Sequence, residues 1–257
     1  MKFYSENEFS VKDKCCIVTG GAQGLSRGMA EGLLENGAKV VLMDLQKEKL
    51  TAVVNEYRDL GYQVFGVSGN LGDRAEIDRM FDEALGLLGG RVDVLIPAAG
   101  IQRRYLPEEF PIEEWDLVLN INLNHVFIMC QKALKVMLKQ EEGGKIINIA
   151  SMVSWFGGTT VPAYTASKGA VTQLTKSLAV DCAGRKINVN AIAPGYMDTE
   201  MCATMSQSRK DETTVRIPAG RWGTPDDLKG PVIFLASHAS DYLNGVIIPV
   251  DGAYLVK

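Results

Sequence analysis

The chain has 257 residues, 46% of them hydrophobic, and a formal net charge of −4 at pH 7. This length permits one α/β domain with a sizeable core, and the slight negative charge without any basic run argues against a nucleic-acid-binding protein. The sequence has no apolar stretch of about 18 residues, so no membrane-spanning helix is predicted. Its polar beginning lacks the apolar core of a signal peptide.

Cysteine and histidine usage argues against a metal site. The five cysteines contain no Cys-x-x-Cys pair and are Cys15, Cys16, Cys130, Cys182 and Cys202. With only His125 and His238 besides, a zinc site or a Ser-His-Asp triad is poorly supported, and we expect no metal. The thiols are expected to be reduced and mostly buried in a cytoplasmic protein.

Apolar runs of strand length alternate with amphipathic stretches of helix length. In chain order the predicted elements are strand Cys15–Thr19, helix 24–36, strand 39–43, helix 46–60, strand 63–67, helix 73–88, strand 92–96, helix 113–140, strand 145–149, helix Pro162–Cys182, strand 186–192, helix 225–236 and strand 246–250. This alternation predicts an α/β fold with one parallel sheet covered by helices on both faces. Without a repeat or a linker, residues 1–257 are predicted to form one domain.

A glycine-rich turn joins the first predicted strand to the first predicted helix, with the sequence Thr19-Gly20-Gly21-Ala22-Gln23-Gly24-Leu25-Ser26. Glycines allow a diphosphate to approach the backbone closely, and the helix N-terminus offers free N–H groups and a partial positive charge. Asp44, about 20 residues further on, can accept hydrogen bonds from the adenosine ribose and repel a 2′-phosphate. The pattern predicts a dinucleotide site that favours NAD(H). The alternative for Asp44 is an ordinary helix-entry residue.

Tyr164 and Lys168 are four residues apart in a predicted helix, and Ser151 precedes Tyr164 by thirteen residues. At this spacing the phenol and the ammonium lie on the same helix face. A fixed positive charge beside a phenol favours the phenolate, so the tyrosine can exchange a proton near neutral pH. On its own, the pattern also fits an ordinary amphipathic helix.

The ordered motifs together resemble those of the short-chain dehydrogenase/reductase family from Lys12 onwards. They are the glycine-rich turn, Asp44, Asn70-Leu71, Gly100, Asn122, Ser151, Tyr164, Lys168 and Pro194-Gly195. The resemblance implies a single-domain, Rossmann-like, doubly wound parallel sheet of about seven strands. It also implies a cytoplasmic homotetramer that transfers a hydride between NAD(H) and a secondary alcohol or ketone.

The resemblance further implies the roles of individual residues. Tyr164 is the expected acid/base; Lys168 assists it and binds the nicotinamide ribose. Ser151 is expected to bind the substrate oxygen, and Asn122 to hold a water of the proton relay. The implied cofactor-binding residues are Gly20, Gln23, Gly24, Leu25, Asp44, Asn70, Leu71, Ala99, Gly100, Tyr164, Lys168, Pro194, Gly195, Met197 and Thr199.

Three positions depart from the family pattern. Ser26 replaces the last glycine of the glycine-rich turn, which should alter the diphosphate contact slightly. Pro97-Ala98 replaces two asparagines after the fourth strand and removes the side-chain hydrogen bonds that brace this turn. Asn70 replaces an aspartate expected at the adenine, where an amide oxygen can still accept a hydrogen bond.

Residues 100–104, 145–152 and 216–225 resemble the branch of the family that acts on sugar acids. The resemblance implies 2-dehydro-3-deoxy-D-gluconate as substrate, with gluconate as an alternative. Arg103 and Arg104 follow the fourth strand at the ligand-binding end of the sheet, and a guanidinium suits a carboxylate. We therefore expect them to bind substrate with Ser151 and Tyr164; the alternative is that they form salt bridges between subunits.

Two other classes of protein stay open. One is a reductase of acyl-carrier substrates; Asp44 and the absence of a basic residue in the glycine-rich turn count against it. The other is a catalytically silent nucleotide-binding scaffold, disfavoured by the complete set of catalytic residues. The polar, Met-rich segment 196–214 has no clear partner strand and is a predicted lid. Trp222 is predicted to pack, and the apolar segment 246–257 to contact a neighbouring subunit.

Overall fold

The computed structural model describes residues 8–200 and 205–257. The strands are β1 (Cys15–Thr19), β2 (Lys39–Asp44), β3 (Val64–Ser68), β4 (Val94–Ile96), β5 (Gly144–Ile149), β6 (Ile187–Pro194) and β7 (Ile247–Val250). The helices are α1 (Gly24–Glu35), α2 (Lys47–Asp59), α3 (Arg74–Leu87), α4 (Ile112–Leu119), α5 (His125–Met137), α6 (Pro162–Cys182), α7 (Gln207–Thr214) and α8 (Lys229–Ala236).

The seven strands pair in parallel in the order β3-β2-β1-β4-β5-β6-β7. Their residues are mostly apolar because helices cover both faces of the sheet. The strand order reverses between β1 and β4, and ligands bind in sheets of this kind outside the carboxyl ends of the strands at such a reversal. The predicted doubly wound fold is confirmed, and this crevice is where a site is expected.

Side chains of β1 alternate between two apolar layers, since successive residues of a strand point to opposite faces. Cys16 and Val18 join the layer that holds α1, α2 and α8. Cys15 and Ile17 join the layer that holds α3, α5 and α6. Burying both faces of the central strand stabilises the sheet edge that carries the loops of the site.

The predicted continuous helix 113–140 is wrong in its middle. A π-helical turn, Asn120–Asn124, separates α4 from α5, and the His125 N–H bonds the carbonyl of Asn120 instead of that of Ile121. Single π turns are rare in proteins, and those that occur are often found at functional sites. This turn carries Asn122.

The predicted helix 225–236 begins with a 3₁₀ turn over Pro225–Leu228, so α8 starts at Lys229. The predicted lid 196–214 contains α7, and Met197 forms a parallel bridge with Gly223, a partner that the sequence did not indicate. Lid positions 201–204 lie outside the described residues.

Two further features concern the described ranges only. None of their helices is both long and apolar enough to cross a membrane. Their cysteines are buried free thiols, namely Cys15, Cys16, Cys130 and Cys182. Cys202 lies outside the described residues.

Candidate active site

The predicted site residues converge at the carboxyl ends of the strands. Gly20, Gln23, Gly24 and Leu25 follow β1, Asp44 ends β2, Asn70 and Leu71 follow β3, Ala99 and Gly100 follow β4, Ser151 follows β5, Pro194 ends β6, and Gly195, Met197 and Thr199 come after it. Asn122 lies in the π turn, and Tyr164 and Lys168 lie in the first two turns of α6. Residues far apart in the chain therefore share one edge of the sheet.

The glycine-rich turn contacts two other loops. Gly20 has a φ of 71°, and a Cβ on it would lie 3.0 Å from Cα of Ala99, so this backbone position suits only glycine. Gly24 has a φ of 59°, and a Cβ there would lie 4.0 Å from Cβ of Thr199. Ser26, the departure from the family pattern, is buried with its Oγ towards Gly20. The turn is therefore packed against the loop after β4 at Gly20 and is more open at Gly24.

Asp44 is buried and joins the glycine-rich turn to the entry of α2. Its Oδ2 accepts a hydrogen bond from the Ala22 N–H at 3.1 Å, and its Oδ1 accepts one from the Gln46 N–H at 2.9 Å. The next residue, Leu45, is 67% exposed. The carboxylate is thus held in place by two backbone donors.

Asn70 and Leu71 follow β3 with different environments. The exposed Asn70 accepts a hydrogen bond at its Oδ1 from the Gly72 N–H at 2.8 Å, which closes a local turn. Leu71 is buried in the apolar layer of α3, α5 and α6. The Asn120 Nδ2 donates to the Gly72 carbonyl at 2.8 Å, which links this loop to the π turn.

Ser151, Tyr164 and Lys168 come together where β5 ends and α6 begins. The Lys168 Nζ is buried, donates to the Ile149 carbonyl at 2.7 Å and lies 5.7 Å from the centroid of the Tyr164 ring. Burial lowers the pKa of Lys168 to about 8, so it is charged at neutral pH. Ser151 is also buried and accepts a hydrogen bond from the Val153 N–H at 3.4 Å.

Asn122 is fully buried and ties the loop after β4 to α6. Its Oδ1 accepts from the Ile101 N–H at 2.9 Å, and its Nδ2 donates to the Ile101 carbonyl at 2.9 Å and to the Ser167 Oγ at 3.1 Å. Both amide hydrogens are committed, so a water of the predicted relay has only acceptor atoms of Asn122 available. Ser167 directly precedes Lys168, so this bond also fixes α6.

Thr19 and His125 form a buried pair that the sequence analysis missed. The Thr19 Oγ1 lies 3.2 Å from the His125 Nε2 and accepts a hydrogen bond from the Ala99 N–H at 2.9 Å. The His125 Nδ1 lies 2.6 Å from the Ile121 carbonyl. Burial lowers the pKa of His125 to about 4. The sequence indicated this pair only through the position of two polar residues next to apolar runs: Thr19 ends β1 and His125 begins α5.

The two arginines after β4 have different partners. Arg103 donates from Nε to the Glu114 Oε2 at 2.7 Å, an ion pair within the chain. Arg104 is exposed, and its hydrogen bonds within residues 8–200 and 205–257 are long, from Nη2 to the Gln102 Oε1 at 3.4 Å and from Nη1 to the Thr159 carbonyl at 3.5 Å. No carboxylate in the described ranges lies within ion-pairing distance of Arg104.

Residues 14–210 match the model of the short chain dehydrogenase family. The chain belongs to this family. It is 45% identical to the 2-dehydro-3-deoxy-D-gluconate 5-dehydrogenase of Dickeya dadantii strain 3937, over 98% of this chain and 99% of the relative. It is 43% identical to the enzyme of the same name from Escherichia coli strain K12, over 97% and 98% of the two chains.

Among solved structures, this dehydrogenase resembles a gluconate 5-dehydrogenase from Burkholderia cenocepacia J2315, crystallised with NADP and tartrate. The TM-score is 0.92 and the identity 35%, over 98% of each chain. The family membership makes the protein an oxidoreductase that acts on CH–OH groups and binds a nicotinamide cofactor.

The residues of this dehydrogenase suit a dinucleotide. Within the described part of the chain, no side chain caps the start of α1 at Gln23, so its first N–H groups can bind an anionic diphosphate. Gly20 and Gly24 keep the turn free of side chains there. The fixed carboxylate of Asp44 suits ribose hydroxyls. Beside Gly24 lies a groove of about 430 Å³, which is lined by Gly24, Asp198, Thr199, Glu200, Lys210 and Pro225.

An aromatic cluster, which the sequence analysis also missed, stands beside Arg104. The Tyr196 ring centroid lies 5.2 Å from that of Trp222 and 5.4 Å from that of Tyr254, near the end of the chain. Burial raises the pKa of Tyr196, while the positive charges of Arg216 and Arg104 act against this shift. The charges of two cations therefore act on this cluster, and Trp222 packs as expected.

Proposed function

We propose that this dehydrogenase interconverts a secondary hydroxyl and a ketone of a sugar acid with NAD(H). The proposed reaction is that of a 2-dehydro-3-deoxy-D-gluconate 5-dehydrogenase, the name of the relatives at 43–45% identity. The observation that carries the proposal is the buried Lys168 ammonium, which lies beside Tyr164 and is bonded to the carbonyl of Ile149, two residues before Ser151. Gluconate 5-dehydrogenation is the second candidate, supported by the structural likeness at 35% identity.

In the proposed mechanism the protein manages the proton at the reacting oxygen. Tyr164 takes the hydroxyl proton in the oxidative direction and returns it in the reductive direction. The charged Lys168 favours the phenolate, and the Ser151 hydroxyl donates to the substrate oxygen as negative charge develops there. A bound nicotinamide supplies or accepts the hydride. Asn122 holds α6 and the loop after β4 in register for these contacts.

The proposed preference for NAD(H) rests on Asp44. A buried carboxylate held by two backbone N–H groups cannot turn away from the ribose, so a 2′-phosphate would meet a fixed negative charge. Ala22 and Leu45 offer no positive charge, and the Lys49 ammonium is bound by Gln23 and by Glu200. The likeness to a structure with bound NADP makes this preference a point for experiment.

The cofactor proposal is tested by kcat/KM with NAD(H) and with NADP(H). Asp44→Ala should bring the kcat/KM for NAD(H) closer to that for NADP(H), chiefly by weakening NADH binding. Asp59→Ala, which removes an exposed carboxylate at the end of α2, is the matched control and should leave the ratio unchanged. Equal efficiencies with the two cofactors in the wild-type enzyme would contradict the proposal.

The substrate proposal assigns the carboxylate of the sugar acid to Arg104. A carboxylate must be neutralised locally because the protein itself has net negative charge. Arg103 is already paired with Glu114, whereas Arg104 has an exposed guanidinium whose positive charge, like that of Arg216, lowers the pKa of Tyr196 against the effect of burial. Losing a charge-assisted pair weakens binding by ~1.5–3 kcal/mol, roughly ten- to a hundredfold.

A substrate screen tests the proposal directly. Hexonates and keto-deoxy-hexonates are offered with NAD(H), and NADH absorbance is followed. Arg104→Ala should lose roughly ten- to a hundredfold in kcat/KM for the preferred acid and little for its uncharged sugar analogue, with Arg103→Ala as control. Equal losses on acid and analogue would make Arg104 structural and reopen the substrate class.

We further propose a homotetramer in the cytoplasm. Exposed apolar side chains support a subunit contact: Phe127 on α5, Leu138 directly after it and Val180 on α6 are 44%, 45% and 82% exposed. Near the end of the chain, Val256 is 85% exposed. Buried free thiols at the described cysteines fit a reducing compartment.

The segment 196–214 is proposed as the substrate lid. Its described parts contain Tyr196, which lies near Arg104, and Lys210, which lines the same groove as Gly24. The ion pairs Lys49–Glu200 and Lys210–Asp198 are exposed at their carboxylates. Exposed ion pairs of this kind hold a segment weakly, which suits a part that must open and close.

A further inference from the structure

The buried imidazole of His125 closes the π turn. In a regular α-helix the N–H of His125 would bond the carbonyl of Ile121, four residues earlier. Here that N–H bonds Asn120, and the His125 Nδ1 lies 2.6 Å from the Ile121 carbonyl. The side chain of His125 thus satisfies the carbonyl that its own backbone leaves without the usual partner.

The same ring reaches the end of β1, and its proton positions follow from its partners. Because Nδ1 faces a carbonyl, it must donate, so Nε2 of the neutral ring is an acceptor. The Thr19 hydroxyl, 3.2 Å away, therefore donates to Nε2 while its oxygen accepts from the Ala99 N–H. Every polar atom of this chain of bonds has a partner of the correct kind.

This chain of bonds joins three loops that carry the proposed site. Thr19 immediately precedes Gly20, and Ala99 lies in the turn after β4. Ile121 immediately precedes Asn122, whose side chain holds Ile101 and Ser167. Pro97 and the alanines that follow it have no side-chain hydrogen-bonding groups, so bracing of their turn must come from elsewhere.

We propose that His125 is a positioning residue of this dehydrogenase, which ties the glycine-rich turn, through Thr19, to the π turn that presents Asn122. The proposal rests on the proposed function only in assigning the cofactor to the glycine-rich turn and a catalytic part to Asn122. The two nitrogens have separate tasks. The bond from Thr19 to Nε2 positions the glycine-rich turn, where the cofactor is assigned. The bond from Nδ1 to Ile121 positions the π turn that presents Asn122.

Two isosteric substitutions separate these tasks. In His125→Asn the amide nitrogen can occupy the place of Nδ1 and keep the Ile121 bond, but nothing reaches Thr19. In His125→Gln the amide oxygen can occupy the place of Nε2 and keep the Thr19 bond, but the Ile121 carbonyl loses its partner. His125→Asn should raise the NADH Kd about tenfold with little change in kcat, and His125→Gln should lower kcat about tenfold with little change in Kd.

The experiment measures NADH Kd by fluorescence titration and kcat with the preferred substrate, with circular dichroism and Tm recorded for every variant. Thr19→Val should reproduce the Kd effect of His125→Asn, and Thr19→Ser, which keeps the hydroxyl, should stay near wild type. These two variants keep the proposal testable if His125 variants fail to fold. His238→Asn, at the exposed histidine beside Asp241, is the matched control.

Opposite effects of the Asn and Gln variants on Kd and kcat support the proposal. Equal losses in both parameters for both variants, or wild-type values throughout, overturn it and leave His125 as a packing residue. The NADH Kd is measured without a sugar acid, so it does not depend on the substrate proposal. The Kd arm therefore tests the role of His125 even if the substrate proposal is wrong.

Discussion

Lowering the pH from 7 to 5 should destabilise the folded protein through His125. Burial lowers its pKa from 6.5 to about 4, the charge of Lys168 acts in the same direction, and the bond to Ile121 opposes both. The unfolded chain takes up a proton near pH 6.5, whereas the folded protein does so only near pH 4. Stability is therefore lost progressively as the pH falls through this window.

The two pKa values set the size of the effect. Proton linkage between 6.5 and about 4 gives a loss of about 2 kcal/mol in the free energy of unfolding between pH 7 and pH 5. The assay is denaturant unfolding at pH 7, 6 and 5, at one protein concentration because subunit association also affects stability. His125→Asn cannot titrate, so its free energy of unfolding should fall by about 2 kcal/mol less over the same range.

His238→Asn is the control because it removes a histidine with an exposed side chain, paired with Asp241. Between pH 7 and pH 5, this variant should lose nearly the same free energy of unfolding as the wild type, in contrast to His125→Asn. If wild type and His125→Asn lose the same free energy between pH 7 and pH 5, His125 accepts a proton in the folded protein. The arrangement in which Nε2 accepts from Thr19 would then be wrong.

Three further predictions concern the catalytic residues and the assembly. Tyr164→Phe should lower kcat by at least about a hundredfold and leave the NADH Kd unchanged, and a larger residual activity would contradict its role as acid/base. The NADH Kd should rise by up to about tenfold between pH 7 and pH 9 as Lys168, with a pKa of about 8, loses its charge. Lys168→Met should bind NADH weakly at every pH in this range; a wild-type curve in that variant would exclude Lys168. Light scattering at micromolar concentration should give the mass of a tetramer, and a monomer would refute the proposed assembly.

The fold was predictable because its signals are local. The mostly apolar β1 and the turn from Gly20 to Gly24 together indicate a buried parallel strand that opens a helix over a ligand. Asp44 was predictable from its distance along the chain, and Tyr164 and Lys168 from helical spacing. Each inference depends on a few neighbouring residues and on the known geometry of strands and helices.

The π turn was not predictable because α and π turns share nearly the same side-chain pattern. Asn120–Asn124 continues the polar and apolar alternation of its flanking helices, so the sequence indicates one helix. What shifts the backbone bond by one residue is tertiary: the Asn122 amide is held by Ile101 and Ser167, and the His125 ring is held by Thr19. Thr19 and His125 are 106 residues apart, and no local pattern relates them.

The two arginines illustrate the same limit at the rim of the site. Arg103 and Arg104 are adjacent and chemically alike, so the sequence assigned both to the substrate carboxylate. The Glu114 carboxylate reaches Arg103 from α4 and neutralises it, while the Arg104 guanidinium makes only long contacts to Gln102 and Thr159 among the described residues. Only the packing of α4 against the loop after β4 distinguishes the two residues.

Buried hydrogen bonds hold the catalytic residues Lys168 and Asn122, whereas exposed ion pairs contribute to holding the rim of the site, the segment that follows β6. Lys168 and Asn122 are bonded to backbone carbonyls in a low-dielectric interior, where a broken bond leaves an unpaired polar group and is therefore costly. The segment after β6 is bridged to Gly223 at Met197, and beyond that bridge the exposed pairs Lys49–Glu200 and Lys210–Asp198 hold it, each contributing only about 0–1 kcal/mol. The proton-transfer geometry can therefore stay fixed while the rim opens, since breaking the rim contacts disturbs none of the bonds that hold Lys168.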